Sequence, residues 1–474
     1  MEYGWIFEKS IKIKDEIIAW RRDIHALAEV GFETEKTKEY IYGELVKIGL
    51  SPRYLGGGVV CEIVGTGQPC HPLTNIDEKS GAAVTEKKEN LPNKRAPSLT
   101  FRLEDPLSKR TPSLTFRLED PLSNKKCVLL RADIDALPIY EETNCGFRAT
   151  NGNMHACGHD MHAASLIGAA KLLNEGKNRF CGTVKLVFQS AEEILSGAKE
   201  MIASGVMENP RVDFSVALHV VVGTELETGT LIIPNGEMSA PYADFFKIET
   251  RGKGGHGASP QKSKNAAICG AAIAVGINEL ATNEQANEFS VSVCQIESGN
   301  APNVIPEKCV MRGNLRALSH GVRSGVINEI NEICRATSKA HGCTAEFEIT
   351  SSTCALFCNE NLSKSAEECL KSVYKSLPKQ SGATVLKAPK AKLKASTPSE
   401  DFAEFAEKAP SVLVGICAGK PSNEFSFPLH SPQVTFDEEA LPFATTAYTA
   451  LAFKFLHNAS ANTLAPKNKQ DTGF

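Results

Sequence analysis

The run CVLLRADID, Cys127 to Asp135, is apolar until it meets Arg131, Asp133 and Asp135. Short and rich in Val and Leu, it reads as a buried strand whose far end carries charge. TVKLVFQSAEE (183–193), DFSVALHV (213–220) and PSVLVGICAG (410–419) have the same character. They alternate with amphipathic helical patterns such as HAASLIGAAKLLNE (162–175). That rhythm predicts an α/β class, an open sheet with helices on both faces.

From about Ala240 to Ser352 the pattern changes, with DFFKIETRG, EFSVSVCQIES and EKCVMRGNLRA reading as an antiparallel layer and helices around 265–281 and 321–341. A smaller α+β domain, residues 240–352, is therefore expected inside a larger α/β domain formed by 1–239 and 353–474. At 474 residues the chain is long enough for two such cores. Residues 68–126 are polar and proline-rich and hold PSLTFRLEDPLS twice, at 97–108 and 112–123. This composition predicts a mobile insertion at a surface tip, between the strand GVVCEIVG (58–65) and CVLLRADID, read as a hairpin.

With 42% hydrophobic and 23% charged residues and a formal charge of -4, the chain offers no basis for a nucleic-acid or membrane partner. No window approaches the ~18 consecutive apolar residues of a membrane span. The N-terminal stretch lacks the apolar region of a signal peptide. Fifteen unevenly spaced cysteines predict reduced thiols and a cytoplasmic location.

Three of the expected strands end in ionisable groups: Arg131 to Asp133, Ser190 to Glu193, and His219. Ligands gather beyond the carboxyl ends of strands in open α/β sheets. Between the first of these ends and the helix lies NGNMHACGHDMHAAS (151–165), with three histidines, Cys157 and Asp160. Cys157 and His159 are expected in the connecting loop, near a helix start that favours a thiolate. Glu192 and Glu193, adjacent at a strand end, should face opposite sides, so that one binds a cation while the other moves protons. A Cys/His/Glu set with several imidazoles suits Zn²⁺, or Mn²⁺ or Co²⁺ where carboxylates dominate. Taken singly, each member has a plainer reading: solvated acids, a core His219, a surface His430.

Nine segments, WRRDIHALAEVGFE, LLRADIDALPI, GNMHACGHDMHAA, VFQSAEE, LHV, GKGGHGASP, NVIPE, PSEDFAEFA and LHSPQVTFDEEAL, together resemble the metal-dependent amidohydrolases. That group comprises the hippurate, N-acyl-amino-acid and IAA-amino-acid (auxin-conjugate) hydrolases, relatives of aminoacylase and carboxypeptidase G. The resemblance runs from about Trp20 to Leu456 and omits the 68–126 stretch. It implies a zinc-peptidase-like mixed open sheet with an inserted lid and dimerisation domain. It also implies two divalent metals held by Cys157, His159, Glu193, His219 and His430. Glu192 is implied as the general base acting on a metal-bridging water, with Asp133 steadying a ligand. His256 is implied as the oxyanion-stabilising group, reached from the partner subunit of a homodimer. Asn303 and Arg316 are implied to hold the substrate carboxylate. Asp160 reads as a helix-start residue that can also orient a ligand, and His155 and His162 as neighbours that hydrogen-bond or pack rather than ligate. Ser190 stands where the family usually carries Pro, a change expected to be tolerated.

The implied reaction is amide cleavage of an N-acyl amino acid or a short peptide-like conjugate. Two other readings compete with it: a non-catalytic zinc or binding module, and a hydrolase with Cys157 as nucleophile and His159 as base.

Overall fold

The computed structural model describes residues 3–67, 125–281, 287–377, 382–388, 393–420 and 425–457. Its larger sheet has eight strands in the order Arg53–Leu55, Gly58–Thr66, Cys181–Gln189, Cys127–Asp133, Phe214–Val221, Ser411–Cys417, Leu231–Ile233 and Val385–Lys387. The four strands from Cys181–Gln189 to Ser411–Cys417 run parallel, while Gly58–Thr66 and Leu231–Ile233 join antiparallel, so the sheet is mixed as expected.

Every residue of Cys127–Asp133 is buried, as befits a strand covered on both faces. Val128, Leu130 and Ala132 enter the core beneath helices Lys14–Leu27, His159–Glu175 and Leu441–His457. Cys127 and Leu129 enter a smaller core on the opposite face with Met201, Phe402 and Phe405. Helix His159–Glu175 is buried nearly all round in its first three turns and is built of small residues there. A Cβ on Gly168 would stand 2.7 Å from Thr445 Oγ1, so the bare backbone is what admits helix Leu441–His457 so closely.

The expected hairpin of Gly58–Thr66 with Cys127–Asp133 does not form. Cys181–Gln189 lies between them, antiparallel to the first and parallel to the second. Sequence adjacency suggested the pairing, but fully buried Cys127–Asp133 takes parallel neighbours on both edges, which only crossovers can supply. Apart from Lys125 and Lys126, the expected insertion at 68–126 lies outside the described residues.

A second, wholly antiparallel sheet has the order Phe289–Ser298, Lys308–Ala317, Tyr242–Arg251, Thr344–Thr353. Helices Ala266–Ala281 and His320–Ala340 cover it, and Phe246, Ile248, Ile273, Leu315 and Ile330 form a separate core. Among the described residues no helix is long and apolar enough to cross a membrane.

Candidate metal centre

Three parallel neighbours, Cys181–Gln189, Cys127–Asp133 and Phe214–Val221, bring their carboxyl ends to one edge of the large sheet. Next to that edge the chain turns from Cys157 into helix His159–Glu175 through Gly158, whose φ of +80° is left-handed. An added Cβ there would also lie 2.4 Å from Val220 Cγ2. His159 is thus the first helical residue rather than a loop residue.

Donor atoms of Cys157, His159 and His219 lie within 4.8 Å of one another, and so do those of Cys157, Glu193 and His430. The two groups share the Cys157 thiol, so all five candidate ligands converge. His159 Nδ1–H donates to the Asp135 carbonyl at 2.8 Å, and His219 Nδ1–H donates to the Val220 carbonyl at 2.8 Å. A carbonyl only accepts, so each Nδ1 carries a proton and each Nε2 is the ring nitrogen turned toward a cation. His219 Nε2 faces Cys157 Sγ at 3.6 Å. His159 Nε2 and Glu193 Oε1, 3.9 Å apart, are both buried without a hydrogen-bond partner. Such orphaned atoms are costly unless something pairs with them. His430, on a left-handed residue at φ +66°, is half exposed, its Nε2 lying 3.5 Å from Glu193 Oε1. Its backbone N–H donates to the Ala156 carbonyl at 2.9 Å, fastening this late loop to the Cys157 turn.

The electrostatics favour a cation. Burial opposes charge on His159, yet Asp133 and Cys157 hold its imidazole well above the ordinary value. Burial and the Glu193 carboxylate push the Cys157 thiol well up, so a thiolate there needs compensating positive charge. Burial, with Glu400, Glu193 and Asp401 close by, also raises the Glu192 carboxyl well above its usual range.

Glu192 and Glu193 do not face apart. The strand ends at Gln189 and Ala191 is left-handed at φ +61°, so strand alternation no longer applies and both carboxylates reach the His159 side chain. Asp135 fixes them: Oδ1 accepts the Glu192 N–H at 3.0 Å and Oδ2 the Glu193 N–H at 3.2 Å. Asp135 thereby holds His159 through its carbonyl and the glutamate pair through its carboxylate, a role the motif reading missed. We expect Asp135→Asn, which can accept through only one oxygen, to lower kcat/KM about 10–100-fold, the usual cost of losing such support. Kinetics on the purified variant would check this, and wild-type kinetics would refute it.

Asp133 accepts from His162 Nδ1 at 2.5 Å and lies 3.6 Å from His159 Nε2. His162 Nε2 in turn accepts the Val220 N–H at 2.9 Å, so both ring nitrogens are occupied and neither is left for a metal. His155 is buried with both nitrogens unpartnered, its ring 6.0 Å from that of His25. Asp160 points away from the centre, to Arg21 Nε at 2.7 Å and His25 Nδ1 at 2.9 Å. It ties two helices together and hydrogen-bonds no candidate ligand, since the second residue of the helix faces helix Lys14–Leu27. The cap position is Gly158, not Asp160. His256 pairs with Val304, and the Gly257 N–H donates to the Asn303 carbonyl at 2.8 Å, so these two sit together beside the second sheet. Arg316 donates to Asn314 Oδ1 at 2.7 Å. Among the described residues, no hydrogen bond or ion pair joins His256, Asn303 or Arg316 to the five converging groups.

The Arg131 guanidinium, a strand-end group to which the motifs assign no role, is fully buried. It pairs with Asp133 at 2.7 Å, Asp401 at 2.8 Å and Glu400 at 3.0 Å, and donates to Gln189 Oε1 at 3.0 Å. Asp401 is further held by Gln189 Nε2 and the Ala198 N–H.

Residues 129–454 match the model of peptidase family M20/M25/M40. The chain belongs to this family. Thermostable carboxypeptidase 2 of Saccharolobus solfataricus is 32% identical over 335 residues, 70% of this chain and 81% of that protein. The N-acyl-L-amino acid amidohydrolase of Geobacillus stearothermophilus is 31% identical over 343 residues, 71% of this chain and 76% of that protein. A dinuclear metal-binding peptidase of the M20 family from Bacillus subtilis superposes with a TM-score of 0.62 at 25% identity, covering 94% of this chain and 99% of that one. The amidohydrolase resemblance carried by the nine motifs is borne out, and this M20 protein is a hydrolase of carbon–nitrogen bonds.

Proposed function

We propose that the protein hydrolyses the amide bond of N-acyl amino acids or short peptide-like conjugates, with two divalent ions bound by Cys157, His159, Glu193, His219 and His430. The observation that carries this reading is the pair of buried, partnerless donor atoms, His159 Nε2 and Glu193 Oε1, beside the Glu192 carboxylate. Zinc or manganese suits this donor set, cobalt also, and such ions make water acidic and polarise a carbonyl. Glu192 takes the proton from the attacking water and delivers it to the leaving amine nitrogen, for which its raised affinity for protons fits it. His256, exposed beside the second sheet, would stabilise the developing oxyanion. In this reading residues 240–352 act as a lid, an edge strand of its sheet joins two copies, and His256 acts in the partner's site. Asn303 and Arg316 would hold the substrate carboxylate.

A closed structural zinc site uses four ligands from nearby pairs. Five donors spread from Cys157 to His430, with Glu192 alongside, fit catalysis better. The test is turnover of N-acetyl, N-benzoyl and indole-acyl amino acids with and without a chelator. Activity should disappear on metal removal and return with Zn²⁺ or Mn²⁺. Turnover that persists in metal-free protein would refute the reading.

A further inference from the structure

Beyond Asp160, on the side away from the centre, a different trio of donors converges. His25, on helix Lys14–Leu27, is buried, and its Nδ1 faces Asp160 Oδ2 at 2.9 Å. Asp160 is itself anchored by Arg21 Nε at 2.7 Å, which fixes the orientation of the ring. His25 Nε2 consequently points at Glu141 Oε2, 3.1 Å away, and Glu141 Oε1 accepts from Cys145 Sγ at 3.1 Å. All three donor atoms lie within 4.8 Å of one another.

We propose that His25, Glu141 and Cys145 form a third divalent-cation site, of zinc-like preference, separate from the centre around His159. An imidazole backed by a carboxylate on its far nitrogen is the arrangement that orients metal-binding histidines. Thiolate, imidazole and carboxylate together suit a borderline-soft ion. Zinc bond lengths set tetrahedral donor separations of roughly 3.3–3.7 Å; the two contacts to Glu141, one through each oxygen at 3.1 Å, lie a few tenths below that range, and the three donor atoms lie within 4.8 Å of one another. The trio borders a cavity of about 450 Å³ that offers room for a water as fourth ligand.

Neither Arg21 nor Arg22 is bound to the Glu141 carboxylate, and Arg148 donates to the Glu141 backbone carbonyl instead. Arg22 is bound to both oxygens of Glu438, and Arg21 lies between Asp160 and Glu438. Both guanidiniums stack on Phe147, at 4.7 and 5.2 Å from its centroid. The Glu141 carboxylate is left with His25, Cys145 and Thr143. Loading forms Nε2–metal, O–metal and S–metal bonds and releases two protons, one from His25 Nε2 and one from the Cys145 thiol. One divalent cation replaces two protons, so the charge of the pocket is unchanged and the Arg21–Asp160 pair is undisturbed.

The test compares zinc bound per chain, by plasma mass spectrometry after dialysis against excess Zn²⁺, in the full wild-type chain and in Cys145→Ser. The variant should bind one ion fewer. Being a difference, this count does not depend on how many ions the His159 centre holds. On the unmodified chain, Zn²⁺ should slow alkylation of Cys145 about tenfold or more, read by peptide mapping, and should do so equally in a Cys157→Ala variant. Equal zinc counts, or Cys145 alkylation indifferent to Zn²⁺, would overturn the proposal.

Discussion

Glu192→Gln should lower kcat about 10²–10⁴-fold, the range supplied by a positioned general base, while the metal content of the protein stays at the wild-type level. The amide matches the carboxylate in size, so the buried pocket around Glu192 keeps its packing. The neighbouring N–H groups held by Asp135 belong to the backbone and survive the change. What is lost is the capacity to take a proton from water and return it to the leaving amine. Metal analysis alongside steady-state kinetics separates this from damage to the ligands. Full turnover in a metal-replete Glu192→Gln protein would remove Glu192 from the chemistry.

Arg131→Met should destabilise the fold by about 3–5 kcal/mol, as expected when one partner is removed from a buried ionic network. The side chain is fully buried and lies within 3.0 Å of the carboxylates of Asp133, Glu400 and Asp401. Methionine fills the space but removes the guanidinium from Glu400 and Asp401, while Asp133 keeps only its histidine neighbours. Burial already holds the Asp401 carboxyl near a pKa of about 7 despite Arg131, so it gains a proton most readily once the guanidinium is gone. Adding Asp401→Asn to Arg131→Met should therefore restore part of the stability. Denaturant unfolding of the two variants decides this; a single variant within about 1 kcal/mol of wild type would show that the network is not held by Arg131.

Much of the centre was legible because its donors sit at strand ends and in short motifs. Cys157, His159, Glu193 and His219 cluster at one sheet edge for the reason that the alternating runs suggested. Local periodicity could not convey the left-handed Ala191, which turns two adjacent glutamates toward the same histidine. Nor could it show that Arg131 meets Asp401, 270 positions away, because nothing in a seven-residue strand records its long-range partners. The misplaced hairpin has the same origin: chain neighbours were preferred to the crossover that inserts Cys181–Gln189. Asp135 belonged to a motif already singled out, yet its value lies in two backbone N–H groups beyond residue 190, which only the fold brings near.

The His430 loop is pinned to the Ala156 carbonyl, and the helix that follows it, Leu441–His457, packs on the helix that begins with His159. The group of converging donors is therefore closed by His430, 273 positions after the first candidate ligand, Cys157. On a translating ribosome, the earlier four donors would emerge and begin to fold while the fifth was still unmade. A stop just before residue 430 should leave all eight strands of the large sheet but remove His430 and the helix Leu441–His457 that packs on the helix beginning with His159. The convergence of the five donor groups is thus completed only when the segment around His430 and the helix after it have joined the fold.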